Sequence, residues 1–149
     1  MKARYFQFVD FIQKTDFIPL LAIRLLLAYE FYGPAMEKLN DFSGTVAWFT
    51  DMGIPLPGLN AFFATAAEVA AFVLLPVGLG TRLVSIPLIV TMIVAIVTVH
   101  APNGFNVCDG GYKFPVYYII MLVVLLTRGA GKASLDYWLD KRMRAVSER

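Results

Sequence analysis

Four long apolar segments are the strongest constraint that this sequence places on its fold. They run from Phe17 to Met36, from Leu59 to Leu79, from Leu83 to His100 and, with its flanks, from Phe114 to Leu126. Each is near the length that a helix needs to cross about 30 Å of hydrocarbon at about 1.5 Å per residue. Because unpaired backbone groups are costly in lipid, each segment is predicted to be a helix. The sequence therefore predicts an all-α membrane protein, a bundle of four transmembrane helices.

The composition agrees with this and excludes several kinds of site. The chain has 149 residues, of which 58% are hydrophobic and 16% charged, so it holds little beyond the bundle. Its single cysteine, Cys108, excludes an intrachain disulfide and any Cys-rich zinc or iron–sulfur site. The sequence contains no phosphate loop, dinucleotide fingerprint or nucleophile–base arrangement. A self-contained enzyme is therefore not expected.

Three regions are predicted around and within the membrane part. Residues 1–16 are predicted to form an amphipathic segment at the membrane surface, the alternative being a polar tail before the first span. Residues 17–130 form the membrane domain, and residues 131–149 form a basic cytoplasmic tail. A short outer interfacial helix is predicted from Ser43 to Met52, where Trp48 and Phe49 suit the headgroup region. This helix would either cover the outer end of the bundle or provide a binding surface for a partner protein.

The basic residues predict the orientation. Lysines and arginines concentrate before the first span, between the second and third, and after the fourth. The positive-inside bias then places both termini in the cytoplasm. The formal net charge of +2 reflects this topology, so no nucleic-acid partner is expected.

The ionisable residues within the spans are the most informative, because each is costly in hydrocarbon unless it is paired or hydrated. Arg24 and Glu68 differ by only about 6 Å in predicted depth, and both lie on stripes of small residues that favour close helix packing. We expect them to form a buried structural ion pair. Glu30 shares a second polar stripe with Glu37.

Two interpretations of these residues stay open. In one, they only fix the packing of the helices. In the other, Glu30, Glu68 and His100, with Glu37 as a further candidate, line an outward-facing pocket for a quinone head group, a proton or a metal ion. An imidazole suits proton transfer and metal binding, but a lone histidine at a span end is commonly an interfacial residue. A metal site that joins His100 to Cys108 is a weaker alternative.

Several motifs resemble the DoxX family of small four-helix membrane proteins. They are RLLLAYEF (Arg24–Phe31), AEVAAFVLLPVGLGTR (Ala67–Arg82), TVHAPNGF (Thr98–Phe105) and GGYKFPVYY (Gly110–Tyr118). The resemblance implies a four-helix bundle in the bacterial cytoplasmic membrane and an association with redox processes. The sequence differs from many family members at Pro34, where they have a histidine. His100 therefore lacks the second imidazole of a two-histidine metal or haem site.

The resemblance also suggests the function. Some relatives are described as subunits of a thiosulfate:quinone oxidoreductase, others as partners in oxidative-stress complexes, and one branch accompanies the maturation of copper-binding peptides. We therefore expect an accessory or quinone-interacting subunit of a membrane redox system, with catalysis in a partner protein. The alternatives are a non-enzymatic helper for copper-peptide maturation and a structural scaffold. A homo-oligomer stays open under all three functions.

Overall fold

The computed structural model describes residues 15–147, in which the chain consists of helices and turns without a β-strand. Almost all of the interfacial segment predicted for residues 1–16 lies outside the described residues. The α-helices are α1 (Phe17–Asn40), α2 (Phe42–Asp51), α3 (Pro57–Val77), α4 (Thr81–Ala95), α5 (Lys113–Arg128) and α6 (Leu135–Ser147). Helix α4 continues as a π-helix (Ile96–His100) and a 3-10 turn (Ala101–Asn103). The prediction of an all-α fold is confirmed.

Three helical stretches are long and apolar enough to cross a membrane. They are Phe17–Asn40, Pro57–Val77 and the continuous stretch Thr81–Asn103. The first extends past Pro34 and ends four residues beyond the predicted boundary. Helix α5 has 16 residues, which corresponds to about 24 Å at 1.5 Å per residue. A fourth span at α5 therefore stays a prediction.

The helices pack in chain order, with α1 against α3, α3 against α4, and α4 against α5. Their contact faces bury an apolar core. Its members include Leu27, Phe31, Ala71, Leu75, Leu88, Leu122 and Leu125. Helices α1 and α4 begin, and helices α3 and α5 terminate, on the same side of the bundle. We call this side the tail end. The opposite end, with α2 and residues 101–112, is called the loop end.

Helix α2 agrees with the short helix predicted from Ser43 to Met52, within one residue at each end. Asp41 precedes it and accepts a hydrogen bond from the Gly44 amide at 2.8 Å, which satisfies one of the free N–H groups of the first turn. Phe49 is the buried residue of α2, and it packs with Ile54, Ala61 and Ala64 against the start of α3. This contact fixes α2 across the loop end.

The predicted ion pair between Arg24 and Glu68 is wrong. Glu68, which is 3% exposed, instead pairs with Lys38, whose Nζ lies 2.9 Å from Glu68 Oε2 and 3.2 Å from Oε1. Arg24 is fully buried, and its Nη2 donates to the carbonyl of Ala133 at 2.6 Å. The negative charge that attracts Arg24 belongs to Asp136.

The direction in which helical side chains lean explains the difference. Each Cα–Cβ bond is tilted toward the N-terminus of its own helix. Arg24 therefore leans toward the tail end, whereas Glu68, on the oppositely directed α3, leans toward the loop end. Lys38 lies near the C-terminus of α1 and leans inward, so its amine meets Glu68. Similar backbone depth was thus not sufficient to predict the pair.

At the tail end, the residues predicted to form a basic tail include a helix that contacts the bundle. Just inside α6, the carboxylate of Asp136 accepts hydrogen bonds from the amides of Gly80 (2.7 Å) and Thr81 (3.0 Å). Its own amide donates to the carbonyl of Gly78 at 3.0 Å. Gly78 has a φ of +68°, and a Cβ there would collide with Arg24. Glycine is therefore required where α3 ends.

Replacing Arg24 with alanine is expected to destabilise the bundle. The change empties a fully buried volume and removes the hydrogen bond to Ala133, so we expect a loss of about 2–4 kcal/mol in the free energy of unfolding. Arg82→Ala is the matched control, since Arg82 is exposed and also donates to a carbonyl, that of Thr127, at 3.3 Å. Its effect should be within about 0.5 kcal/mol. Denaturant unfolding in detergent measures both, and equal losses would contradict the assignment.

The ion pair between Lys38 and Glu68 can be tested by a double-mutant cycle. Lys38→Met leaves a buried carboxylate without its cation, and we expect a cost of about 3–5 kcal/mol in unfolding free energy. Adding Glu68→Gln should recover a large part of this loss, because the neutral amide needs no counter-charge. The same unfolding assay gives the coupling energy. Additive effects of the two substitutions would show that the pair does not stabilise the fold.

Candidate functional site

Glu30 has a neutral hydrogen-bond partner on another helix. The hydroxyl of Tyr118 on α5 donates to Glu30 Oε2 on α1 at 2.7 Å. The tyrosine ring is held between Phe31, whose centroid is 5.9 Å away, and Phe114, which stacks on it at 6.2 Å. A phenol rather than a cation thus satisfies this carboxylate. Tyr118 was not predicted as a site residue, although it belongs to the GGYKFPVYY motif.

His100 is the last residue of the π-helix that extends α4. The wider turn of a π-helix changes the direction of the side chains that follow, and such segments are frequent at functional sites. His100 Nδ1 lies 2.6 Å from the carbonyl oxygen of Gly110. Because that oxygen can only accept, Nδ1 carries the hydrogen, and in the neutral ring Nε2 is an acceptor. The imidazole is thus held in one tautomer.

The loop that holds His100 in place depends on close backbone packing. The amide of Gly111 donates to the carbonyl of Asn106 at 2.8 Å, and that of Tyr112 donates to Gly104 at 3.0 Å. A Cβ on Gly111 would collide with the backbone of Gly104 and Asn106. This accounts for the glycine that precedes Tyr112 in the motif.

A cavity of about 270 Å³ at the loop end brings together three of the residues predicted for a pocket, Glu30, Glu68 and His100. Tyr118 is the fourth polar side chain in its wall. The remaining wall is apolar side chains and loop backbone, from Phe31, Pro34, Met92, Ala95, Val107, Gly110, Gly111, Phe114 and Pro115. Two carboxyl groups, a phenol and an imidazole therefore converge on one small space. All four groups can bind and exchange protons.

The other two candidates lie elsewhere. Glu37 is exposed and lines neither this cavity nor the larger one described below. Cys108 is also exposed and lies in a 3-10 turn, Val107–Asp109, outside the cavity wall. Within residues 15–147, no group of three or more His, Cys, Asp or Glu side chains is placed to hold a metal ion. The structure thus does not bring Cys108 into a site with His100 and the carboxylates.

A second cavity, of about 680 Å³, adjoins the first. Glu68, Met92 and Ala95 line both cavities and so form the boundary between them. The wall of the larger cavity is mostly apolar and comes from α2, α3 and α4. It includes Trp48, Phe49, Ile54, Phe63, Leu83, Pro87, Val90 and Val99. Apolar surface predominates in both cavities. We call the smaller one, with its four titratable side chains, the polar cavity and the larger one the apolar cavity.

Curated relatives match the chain over most of its length. An uncharacterized protein of Haemophilus influenzae is 36% identical over 132 residues, which cover 83% of this chain and 85% of the relative. A Bacillus subtilis protein named "Putative oxidoreductase CatD" is 28% identical over 86% of this chain and 92% of its own length. An uncharacterized membrane protein of Mycobacterium tuberculosis is 30% identical over 87% and 86%, respectively. No solved structure matches the chain significantly.

The family comparison agrees with the resemblance found in the motifs. The family model for DoxX matches residues 19–101, more than half of the chain. The match includes Arg24, Glu30, Lys38, Glu68 and His100. This chain is a membrane protein that belongs to the DoxX family.

Proposed function

We propose that this protein is a quinone-interacting subunit of a membrane redox system. The observation that carries the proposal is the pairing of two cavities that meet at Glu68, one of about 270 Å³ with four proton-exchanging side chains and a mostly apolar one of about 680 Å³. A membrane quinone has the same two parts, a polar ring with two carbonyl groups and a long apolar chain. We assign the ring to the polar cavity and the chain to the apolar cavity.

The side chains of the polar cavity suit the proton chemistry of a quinone. Reduction to the quinol adds two electrons and two protons, and oxidation releases them. His100, held by Gly110 through Nδ1, can present Nε2 to a quinol hydroxyl or, when protonated, donate to a quinone carbonyl. The hydrogen-bonded pair of Tyr118 and Glu30 offers a second proton-exchanging group on the same cavity. These residues would bind the ring and move protons.

The electrons come from elsewhere. Carboxyl, phenol and imidazole groups of this kind exchange protons, so the proposal requires a redox partner protein that supplies or removes electrons. The name of the Bacillus subtilis relative, which contains the word oxidoreductase, supports a role in a redox system. Isolation from native membranes, with mass spectrometry of proteins and quinones, tests for this partner. Recovery with neither a redox enzyme nor a quinone would contradict the proposal.

The orientation is part of the proposal. If α5 is the fourth span and the basic residues face the cytoplasm, both termini are cytoplasmic and the polar cavity opens near the outer surface of the bacterial cytoplasmic membrane. The three long apolar helices support the membrane environment. Protons would then exchange on the outer side.

The copper-peptide alternative has less support from the described residues. Copper(I) prefers thiolate, thioether and imidazole ligands, whereas the polar cavity offers two carboxylates and a phenol beside one imidazole and the single thioether of Met92. Cys108, the soft ligand considered from the sequence, does not line it. The donor set therefore favours a hydrogen-bonding organic ring.

Glu30→Gln is expected to weaken binding of a quinone analogue. Hydrogen bonds to charged groups contribute about 1.5–3 kcal/mol, so we expect the Kd to rise about tenfold or more. Glu37→Gln is the matched control, because Glu37 lies on the same helix but is exposed and outside both cavities. Titration calorimetry in lipid nanodiscs measures the Kd. Wild-type affinity in the Glu30 variant, or equal losses in both variants, would contradict the assignment of the ring.

Ala95→Phe tests the assignment of the chain. Ala95 lines both cavities, so a phenyl group there would narrow their connection. A long-chain quinone should then bind about tenfold or more weakly, because about 100 Å² of lost apolar contact corresponds to about 2.5 kcal/mol. A short-chain analogue should be affected much less. Ala47→Phe is the control, since Ala47 is exposed and lines neither cavity. Equal losses for both analogues would contradict the assignment.

A further inference from the structure

Helix α6 carries an exposed apolar face that the proposed function does not use. At about 100° per residue, Leu135, Trp138, Leu139 and Met143 fall within about 140° of its circumference. They are 44%, 54%, 39% and 64% exposed, respectively. Large apolar side chains grouped in this way are unfavourable in water. The face therefore requires an apolar environment.

The same segment carries an excess of positive charge. Helix α6 contains three basic residues and two acidic ones, and Lys132, just before it, pairs with Asp16 at 3.2 Å. Asp136 is occupied by the Gly80 and Thr81 amides, and Asp140 pairs with Arg144 at 3.0 Å. Arg142 falls within the same arc, between Trp138 and Leu135, and its guanidinium lies over the Trp138 ring at 5.3 Å. A cation close to the apolar face is typical of helices that bind a surface both apolar and anionic.

The position of α6 suggests what that surface is. Its first turn is fixed by Asp136 to the connection between α3 and α4, where one of the three long apolar helices ends and another begins. The helix therefore starts at the level at which the membrane surface is expected. Tryptophan and basic residues are enriched at that level.

We propose that α6 lies in the membrane interface and binds anionic lipid headgroups. Leu135, Leu139, Met143 and Trp138 enter the boundary between headgroups and acyl chains. Lys141 and Arg142 contact the lipid phosphates, since basic residues near the surface are attracted to anionic leaflets. No residue of α6 lines either cavity, so this proposal is independent of the quinone proposal.

Tryptophan fluorescence tests the position of α6 directly. The chain has two tryptophans, so Trp48→Phe leaves Trp138 as the only reporter in the full-length protein. We expect lipids brominated on their acyl chains to remove most of the Trp138 emission in nanodiscs. The aqueous quencher acrylamide should remove little. Replacing part of the zwitterionic lipid with phosphatidylglycerol should increase the quenching by brominated lipid, and about 1 M salt should reverse that increase, since its screening length is about 3 Å.

Substitutions on α6 provide the controls. Met143→Gln on the apolar face should reduce quenching by brominated lipid, whereas Tyr137→Gln on the opposite face should not. Circular dichroism checks that both variants fold. Quenching of Trp138 by acrylamide but not by brominated lipid would overturn the proposal. Protection from both quenchers would also overturn it, by showing that protein rather than lipid covers the face. Quenching that does not respond to phosphatidylglycerol would overturn the role of anionic lipid.

Discussion

The cost of an unpaired charge among apolar helices determines how this bundle is arranged. Lys38 and Glu68 satisfy each other where α1 crosses α3, and that contact fixes the register of the two helices relative to each other. Arg24 cannot take part, because its side chain leans toward the other end of the bundle, where it donates to the carbonyl of Ala133 and is attracted by the charge of Asp136. Each charge is thus matched near the end toward which its own helix directs it. Helix polarity selects the partner of each charge.

The Lys38–Glu68 pair also connects the fold to the candidate site. Glu68 lies in the walls of both cavities, while Lys38 lines only the larger one. The carboxylate is therefore held on one side by an ammonium group and faces the polar cavity on the other. The packing interpretation of Glu68 and the functional one are therefore compatible. A single residue fixes the helices and supplies an oxygen to the cavity.

Much of the fold could be predicted because the apolar segments are long and continuous. The all-α class, the helix from Phe42 to Asp51 and the helical core of each segment follow from segment length and the cost of exposed backbone in lipid. Glu30, Glu68 and His100 could be selected because polar groups are conspicuous in apolar surroundings. That these three residues line one cavity was a hypothesis, and the structure places all three in the wall of the same cavity. Their role in binding stays a prediction.

The partners of those residues could not be predicted, because they depend on side-chain direction and on long-range contacts. Glu68 was paired with Arg24 from backbone depth and from the stripes of small residues, without the side-chain lean that separates them. Tyr118 is 88 residues from Glu30 along the chain, and nothing local to either residue indicates their hydrogen bond. The π-helix before His100 gives no sequence signal either.

The capping of α4 by Asp136 has a consequence for synthesis: the amide of Thr81 receives its partner from 55 residues later in the chain. During translation this amide therefore has no side-chain partner until the C-terminal segment leaves the ribosome. The start of α4 is thus completed only after the other helices of the bundle have been synthesised.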